Sequence, residues 1–172
     1  MAEARAALER WLDGYGRAWE RQDAQAFADL FTEDALYQET PFDEPLRGRT
    51  AIRAYAETAA HHQRDVSFAY EALGQDDGKA VVLWRAAYEK VSNGEPTRLE
   101  GVFLLEFAAD GLCRSLREWW HADPSPSFTA AGVPRPRSAA PASASPTGSR
   151  PLAVAVLVAL AVAGAVIFLL FR

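Results

Sequence analysis

Leu8, Trp11, Leu12, Tyr15 and Trp19 recur at intervals of three and four with polar residues between them, which predicts an amphipathic helix over residues 3–22. Asp23 then stands where a helix N-cap belongs, ahead of the run "AQAFADLF", whose Phe27, Leu30 and Phe31 turn inward if a second short helix forms. Leu36 to Glu39 read as a short strand, halted at once by the prolines and glycine of "TPFDEPLRG". A third helix is expected after "RGRT", with Ile52 and Tyr55 on one face and "HHQRD" at its end. From there the period falls to two. "DVSFAYEAL", "KAVVLWRAAYEKV", "TRLEGVFLLEFA" and "LCRSLREWWH" alternate apolar and polar positions, and "DDG", "SNGEP" and "ADG" between them are hairpin turns. Three helices followed by an antiparallel sheet predict an α+β domain in which the sheet folds over the helices.

Alternation also assigns faces. On the third of five expected strands, Val82, Trp84, Ala86 and Tyr88 share one side. On the fourth, Leu99, Gly101, Phe103, Leu105 and Phe107 do so, and on the last, Arg114, Leu116, Glu118 and Trp120, with Cys113 on the opposite side. Val102, Leu104 and Trp119 populate the other face, which helices on one side of the sheet cannot cover. A homodimer through that outer face is the expected cover.

The C-terminal third has a different composition. Residues 152–171, "LAVAVLVALAVAGAVIFLLF", are twenty consecutive uncharged apolar residues, and at 1.5 Å per residue such a helix is about 30 Å long, a bilayer's hydrocarbon thickness. A single-pass C-terminal transmembrane anchor over 151–172 is expected. The arginines at 135, 137 and 150 ahead of it predict a cytoplasmic globular part. Residues 123–150 hold six Pro, six Ser and six Ala with little to bury, the composition of a disordered linker, so function is expected in a domain over 1–122.

That domain is acidic. Residues 1–122 carry 14 basic and 22 acidic side chains and no basic stripe, so they lack the phosphate-neutralising charge that nucleic-acid binding requires. The single cysteine, Cys113, forms no disulfide within the chain and reads as a small filler residue. His61, His62 and His121 have no helical i,i+4 histidine or cysteine companion, so no metal site is expected, and no cofactor is called for.

One carboxylate is oddly placed. Glu39 ends the first strand where a buried strand favours Val or Ile, and it either caps a turn in water or faces a cavity and moves a proton. An apolar wall is available in Trp19, Tyr37, Phe42, Tyr55, Trp84, Tyr88, Phe103 and Trp120. Glu118 is expected to face the same interior, so that it and Glu39 form a carboxylate pair whose mutual repulsion raises one pKa, unless Arg114 on that face neutralises them.

The motifs "YGRAWERQDAQAFADLFTEDALYQETPFDEPLRGRTAIRAY" and "FAADGLCRSLREWWH" make residues 7–121 resemble the nuclear-transport-factor-2-like superfamily, especially its SnoaL-like and ketosteroid-isomerase-like branches. The resemblance implies a cone: a strongly curved, mostly antiparallel sheet wraps the first helix and leaves a pocket at its wide end. It also implies roles. Tyr15 falls where ketosteroid isomerase has its oxyanion-binding tyrosine, and Glu39 where it has its general-base aspartate. The enzyme's second oxyanion donor, a protonated aspartate, is matched by Phe103, so half of that anion-stabilising pair is missing. An acid, an arginine and a second acid around a pocket (Glu39, Arg114, Glu118) are also similar to the superfamily's epoxide hydrolases. Because this fold hosts both enzymes and binding proteins, three readings stand: a general-base enzyme acting on a small, mostly apolar compound, a pocket that binds such a compound without chemistry, and a dimeric scaffold at the membrane.

Overall fold

The computed structural model describes residues 2–123. Helix α1 (Ala2–Glu20) and the short α2 (Ala24–Ala28) lead into strand β1 (Phe31–Gln38), then β2 (Leu46–Arg47) and helix α3 (Arg49–His62). Four strands complete it: β3 (Gln63–Asp76), β4 (Lys79–Lys90), β5 (Pro96–Phe107) and β6 (Cys113–Ala122). The six form one curved, open sheet in the order β2-β1-β6-β5-β4-β3. Every pairing is antiparallel except β1 with β6, which is parallel. The mixed α+β architecture is as expected. The expected transmembrane segment, and the linker beyond Asp123, lie outside the described residues, among which no helix is long and apolar enough to cross a membrane.

The helical stripe of α1 faces the sheet: Leu8, Trp11, Leu12 and Tyr15 are buried. Asp23 caps α2 as expected, its carboxylate accepting from the Ala26 N–H at 2.9 Å. α1 is clamped to the far edge of the sheet, where the Tyr70 hydroxyl donates to Asp13 Oδ1 at 2.8 Å and the Phe68 N–H to Glu20 Oε1 at 2.9 Å. Gly16 permits this approach, because a Cβ there would lie 2.8 Å from the Phe68 ring.

Two boundaries differ from expectation. Phe31 sits at helical spacing from Phe27, yet it opens β1, where it pairs with Cys113 and is fully buried. On β6 the register shifts: Glu106 pairs with Ser115 but Phe107 with Cys113, so Arg114 is the extra residue of a bulge. The bulge reverses the expected parity at that end. Cys113 turns into the core, and Arg114 is exposed, where its Nη2 donates to Glu106 Oε2 at 3.0 Å. Beyond the bulge the alternation holds, and Leu116 and Glu118 are buried with Val82, Trp84, Ala86, Gly101, Phe103 and Leu105.

Candidate functional site

The inner face brings an unusual set of polar groups into an aromatic core. Glu118, on β6, is only 5% exposed and has the fully buried Phe103 of β5 as its cross-strand partner. The Tyr37 hydroxyl, from the adjacent β1, donates to Glu118 Oε1 at 2.8 Å. Tyr15, from α1, meets Tyr37 hydroxyl to hydroxyl at 3.2 Å. A phenol has one proton, so while Tyr37 donates to Glu118 the Tyr15 hydroxyl must donate to Tyr37. The result is an ordered relay, Tyr15 to Tyr37 to Glu118, built from a helix and two neighbouring strands.

Burial dominates the electrostatics of this relay. It pushes the Glu118 carboxyl up to about 8, against the opposing hydrogen bond from Tyr37 and with a smaller contribution from the Glu39 charge. Burial likewise raises Tyr15 and Tyr37 well above the ordinary phenol range, with the charge of Glu118 adding to both.

Glu39 follows β1 directly and is half-buried. Its pKa is raised, first by burial and then by the Asp43 charge, while a hydrogen bond with the Tyr55 side chain of α3 opposes the rise. The Tyr55 and Tyr37 rings are 5.2 Å apart, which connects this pair to the relay. The Glu39 charge reaches Tyr15, Tyr55, Tyr88 and Glu118, so the two carboxylates and these three phenols share one region of the inner face.

The expected wall divides. Tyr37, Trp84 and Phe103 are buried, while Trp19, Tyr55 and Trp120 are partly buried against the same core. Tyr88 is half-buried beside Thr97 and Gln63, with which it hydrogen-bonds. Phe42 does not belong to this wall. It is 95% exposed, because the turn after Glu39, held by Thr40 Oγ1 donating to Asp43 Oδ2 at 2.9 Å, carries it outward. Arg114 is absent from the interior for the reason given by the bulge, so no arginine neutralises the carboxylates from that position.

Sequence reasoning missed two features. Gln63, the first residue of β3, accepts from Trp19 Nε1 at 2.8 Å and contacts Tyr88, and its place directly after a helix end was the available signal. Trp84 is 2% exposed, and its indole N–H has no acceptor among the described residues. A buried unpaired donor of this kind costs about 1–3 kcal/mol. The ring packs over Gly101, where a Cβ would lie 2.7 Å from its Cε2 and Cζ2. Elsewhere, an open hollow of about 400 Å³ is lined by Arg98, Leu99, His121 and Asp123 among others, and another of about 410 Å³ lies at the β3–β4 turn; neither is lined by Tyr15, Glu39 or Glu118. No cluster of three metal-ligating side chains occurs among the described residues.

Comparison with solved structures reproduces this architecture. The epoxide hydrolase/cyclase-like enzyme SalBIII, which functions in pyran ring formation in the polyether salinomycin, is 21% identical with a TM-score of 0.61, over 70% of this chain and 95% of its own. A Catenulispora acidiphila protein with a ketosteroid isomerase-like fold, solved with trimethylamine, is 14% identical with a TM-score of 0.58, over 63% of this chain and 83% of its own. A computationally designed 17-OHP binder is 18% identical with a TM-score of 0.55, over 66% and 94% respectively. These likenesses establish the fold. No curated protein matches the sequence. The model of the SnoaL-like domain matches residues 8–116, which span α1 to the middle of β6 and contain Tyr15, Tyr37, Glu39 and Tyr55, and the chain therefore belongs to the SnoaL-like domain family.

Proposed function

We propose that the inner face binds a small, mostly apolar carbonyl or epoxide compound and that Glu39 acts on it as a general base. The observation that carries this reading is the pair of carboxylates in different environments on one aromatic face. Glu39 is half-buried and hydrogen-bonded to Tyr55, whereas Glu118 is buried and pushed up to about 8. Two such groups divide the labour of a proton transfer. Glu39, the less buried of the two, takes a proton from the carbon between a carbonyl and a C=C bond. The C–H electron pair becomes a new C=C bond and the C=O π pair moves onto the oxygen. As the carbonyl re-forms, the proton returns to the far carbon of the original C=C bond, completing an isomerisation.

Glu118 supplies the complementary half. When it is protonated it donates to Tyr37, Tyr37 donates to Tyr15, and the Tyr15 O–H is released to the developing oxyanion. When it is ionised the relay runs the other way and Tyr15 has no proton to offer. Tyr15 as oxyanion donor thus depends on Glu118 remaining neutral, which its burial favours.

The test needs no knowledge of the natural substrate. The bicyclic ketone 1-tetralone is incubated in deuterium oxide with the full-length protein, and loss of its α-proton signal is followed by NMR. General-base catalysis predicts a rate that falls about 10²-fold or more in Glu39→Gln. An unchanged rate in that variant removes Glu39 as the base.

A second reading, a binding module without chemistry, is favoured by Phe103 standing where a second oxyanion donor is expected. In either case a homodimer through the outer sheet face and a membrane tether are part of the proposal. The dimer is supported by exposed Val81 and Trp119 beside half-buried Leu83, Val102 and Leu104 on that face. The tether rests on the twenty uncharged apolar residues at 152–171, and it leaves the domain on the cytoplasmic side of the bilayer.

A further inference from the structure

Three tryptophans project into the core from α1 and β4, and they differ in one respect. Trp11 Nε1 donates to the Leu30 carbonyl at 2.9 Å and Trp19 Nε1 to Gln63 Oε1 at 2.8 Å. Trp84, the most deeply buried of the three, has no acceptor for its indole N–H among the described residues. Its neighbours explain why. It stacks on Phe103 with ring centroids 5.1 Å apart and on Phe68 at 6.4 Å, meets Trp19 edge-on at 6.2 Å, and lies over Gly101. None of these side chains offers an oxygen. The Cε2–Cζ2 bond of the indole lies over Gly101, with Nε1 bonded to Cε2 at its end.

Gly101 has a particular place in the sheet. Trp84 and Trp120 are its cross-strand partners on either side, and the next row along the inner face is Val82, Phe103 and Glu118. A Cβ at Gly101 would lie 2.6 Å from the Trp119 carbonyl oxygen and 2.7 Å from the Trp84 ring, so the glycine lets the indole settle against the sheet beside the row that ends in Glu118. Tyr15 packs on the same Phe103 ring from α1, at 5.3 Å. Tyr15 and Trp84 therefore flank Phe103, one with a phenol O–H at the end of the relay and the other with an uncommitted N–H.

We propose that Trp84 Nε1–H is a ligand donor: it takes the carbonyl oxygen of an apolar ring compound and supplies, with Tyr15, the second hydrogen bond that Phe103 cannot give. This rests on the reading of the inner face as a site for apolar carbonyl compounds, and it deepens that reading by naming the atom that selects a ketone over a hydrocarbon. The selection follows from the orphaned donor. A hydrocarbon of the same shape leaves the N–H unpaired, whereas a carbonyl oxygen satisfies it. The indole N–H keeps its proton across the accessible pH range, so its contribution, unlike that of Tyr15, does not depend on Glu118.

The experiment compares 1-tetralone with tetralin, the same bicycle without the oxygen, on full-length protein labelled with ¹⁵N at tryptophan. On titration with the ketone the Trp84 indole resonance moves downfield, and with tetralin it does not. Trp84→Phe weakens tetralone binding about tenfold, the loss of one hydrogen bond, and leaves tetralin binding unchanged. If Trp84→Phe does not fold, the resonance is assigned by through-bond correlation in the unsubstituted chain and the titration alone decides. Equal movement of the Trp84 resonance with both compounds, or equal weakening of both by Trp84→Phe, overturns the assignment of Trp84 while leaving the apolar site intact. Binding of neither compound overturns both.

Discussion

Substituting Glu118 by glutamine isolates the electrostatics of the relay. The side chain keeps its shape and an oxygen to accept from Tyr37, but it no longer titrates. In the folded protein the Glu118 carboxyl is pushed up to about 8, against 4.5 for an ordinary glutamate. Between those values the folded state holds a proton that the unfolded chain has released, so folding is favoured by acid and loses stability as pH rises. The contribution is complete below about 4.5 and is lost progressively as pH approaches the folded value. Its slope in the middle of that window is about 1.4 kcal/mol per pH unit, or roughly 3 kcal/mol between pH 5.5 and 7.5. Urea unfolding of the parent protein and of Glu118→Gln, measured at both pH values, gives the difference directly. The variant gains about 3 kcal/mol relative to the parent on going from pH 5.5 to 7.5, because other titrating groups are common to both and cancel. Parallel stability curves, with the same gap at both pH values, refute a protonated buried Glu118 and with it the reversed relay that frees the Tyr15 proton.

Other outcomes follow from the same geometry. Tyr37→Phe removes the bond that holds the Glu118 carboxyl down, so the pH midpoint of that titration moves upward and stability falls by about 1–2 kcal/mol, both readable from urea unfolding across pH. Gly101→Ala places a methyl group against the Trp84 ring and costs about 1–3 kcal/mol by urea unfolding, whereas Gly74→Ala, with nothing within 4 Å, does not overpack. Trp119→Glu puts a charge at the centre of the outer face, beside Arg117 whose guanidinium lies 5.1 Å from the Trp119 ring, and converts the proposed dimer to monomer by light scattering in detergent.

Much of the architecture was legible because alternation is a local signal. Val82, Trp84, Leu105 and Glu118 all lie on the face their spacing assigned. The failures share a cause, which is pairing with a distant segment. Phe31 fits the helical spacing of Phe27, and only its pairing with Cys113 makes it a strand residue. Arg114 alternates with Leu116 in the sequence, but a bulge against Glu106 and Phe107 turns it outward. Tyr37 and Glu118 are 81 residues apart, and nothing in either segment announces that one hydroxyl will donate to the other. Tyr55 was legible as an aromatic of the inner face, but not as the partner of Glu39.

The register of β5 against β6 changes what Phe103 means. In sequence it reads as a loss, an apolar ring where a proton-donating aspartate is expected. In the sheet it is the direct cross-strand partner of Glu118, fully buried and unable to hydrate or hydrogen-bond a charge. A carboxylate opposite a phenylalanine is dearer to ionise than one opposite a polar residue, and burial is the largest contribution to the raised Glu118 value. The residue that removes one acid from the inner face therefore helps to keep another protonated on the neighbouring strand, within reach of Tyr15 through Tyr37. Phe103→Asp tests that coupling. An added carboxyl opposite Glu118 makes the pair share a proton, so the two titrate in separate steps and the single Glu118 transition in stability against pH splits. If the transition keeps its position in Phe103→Asp, the neutrality of Glu118 owes nothing to the ring across from it.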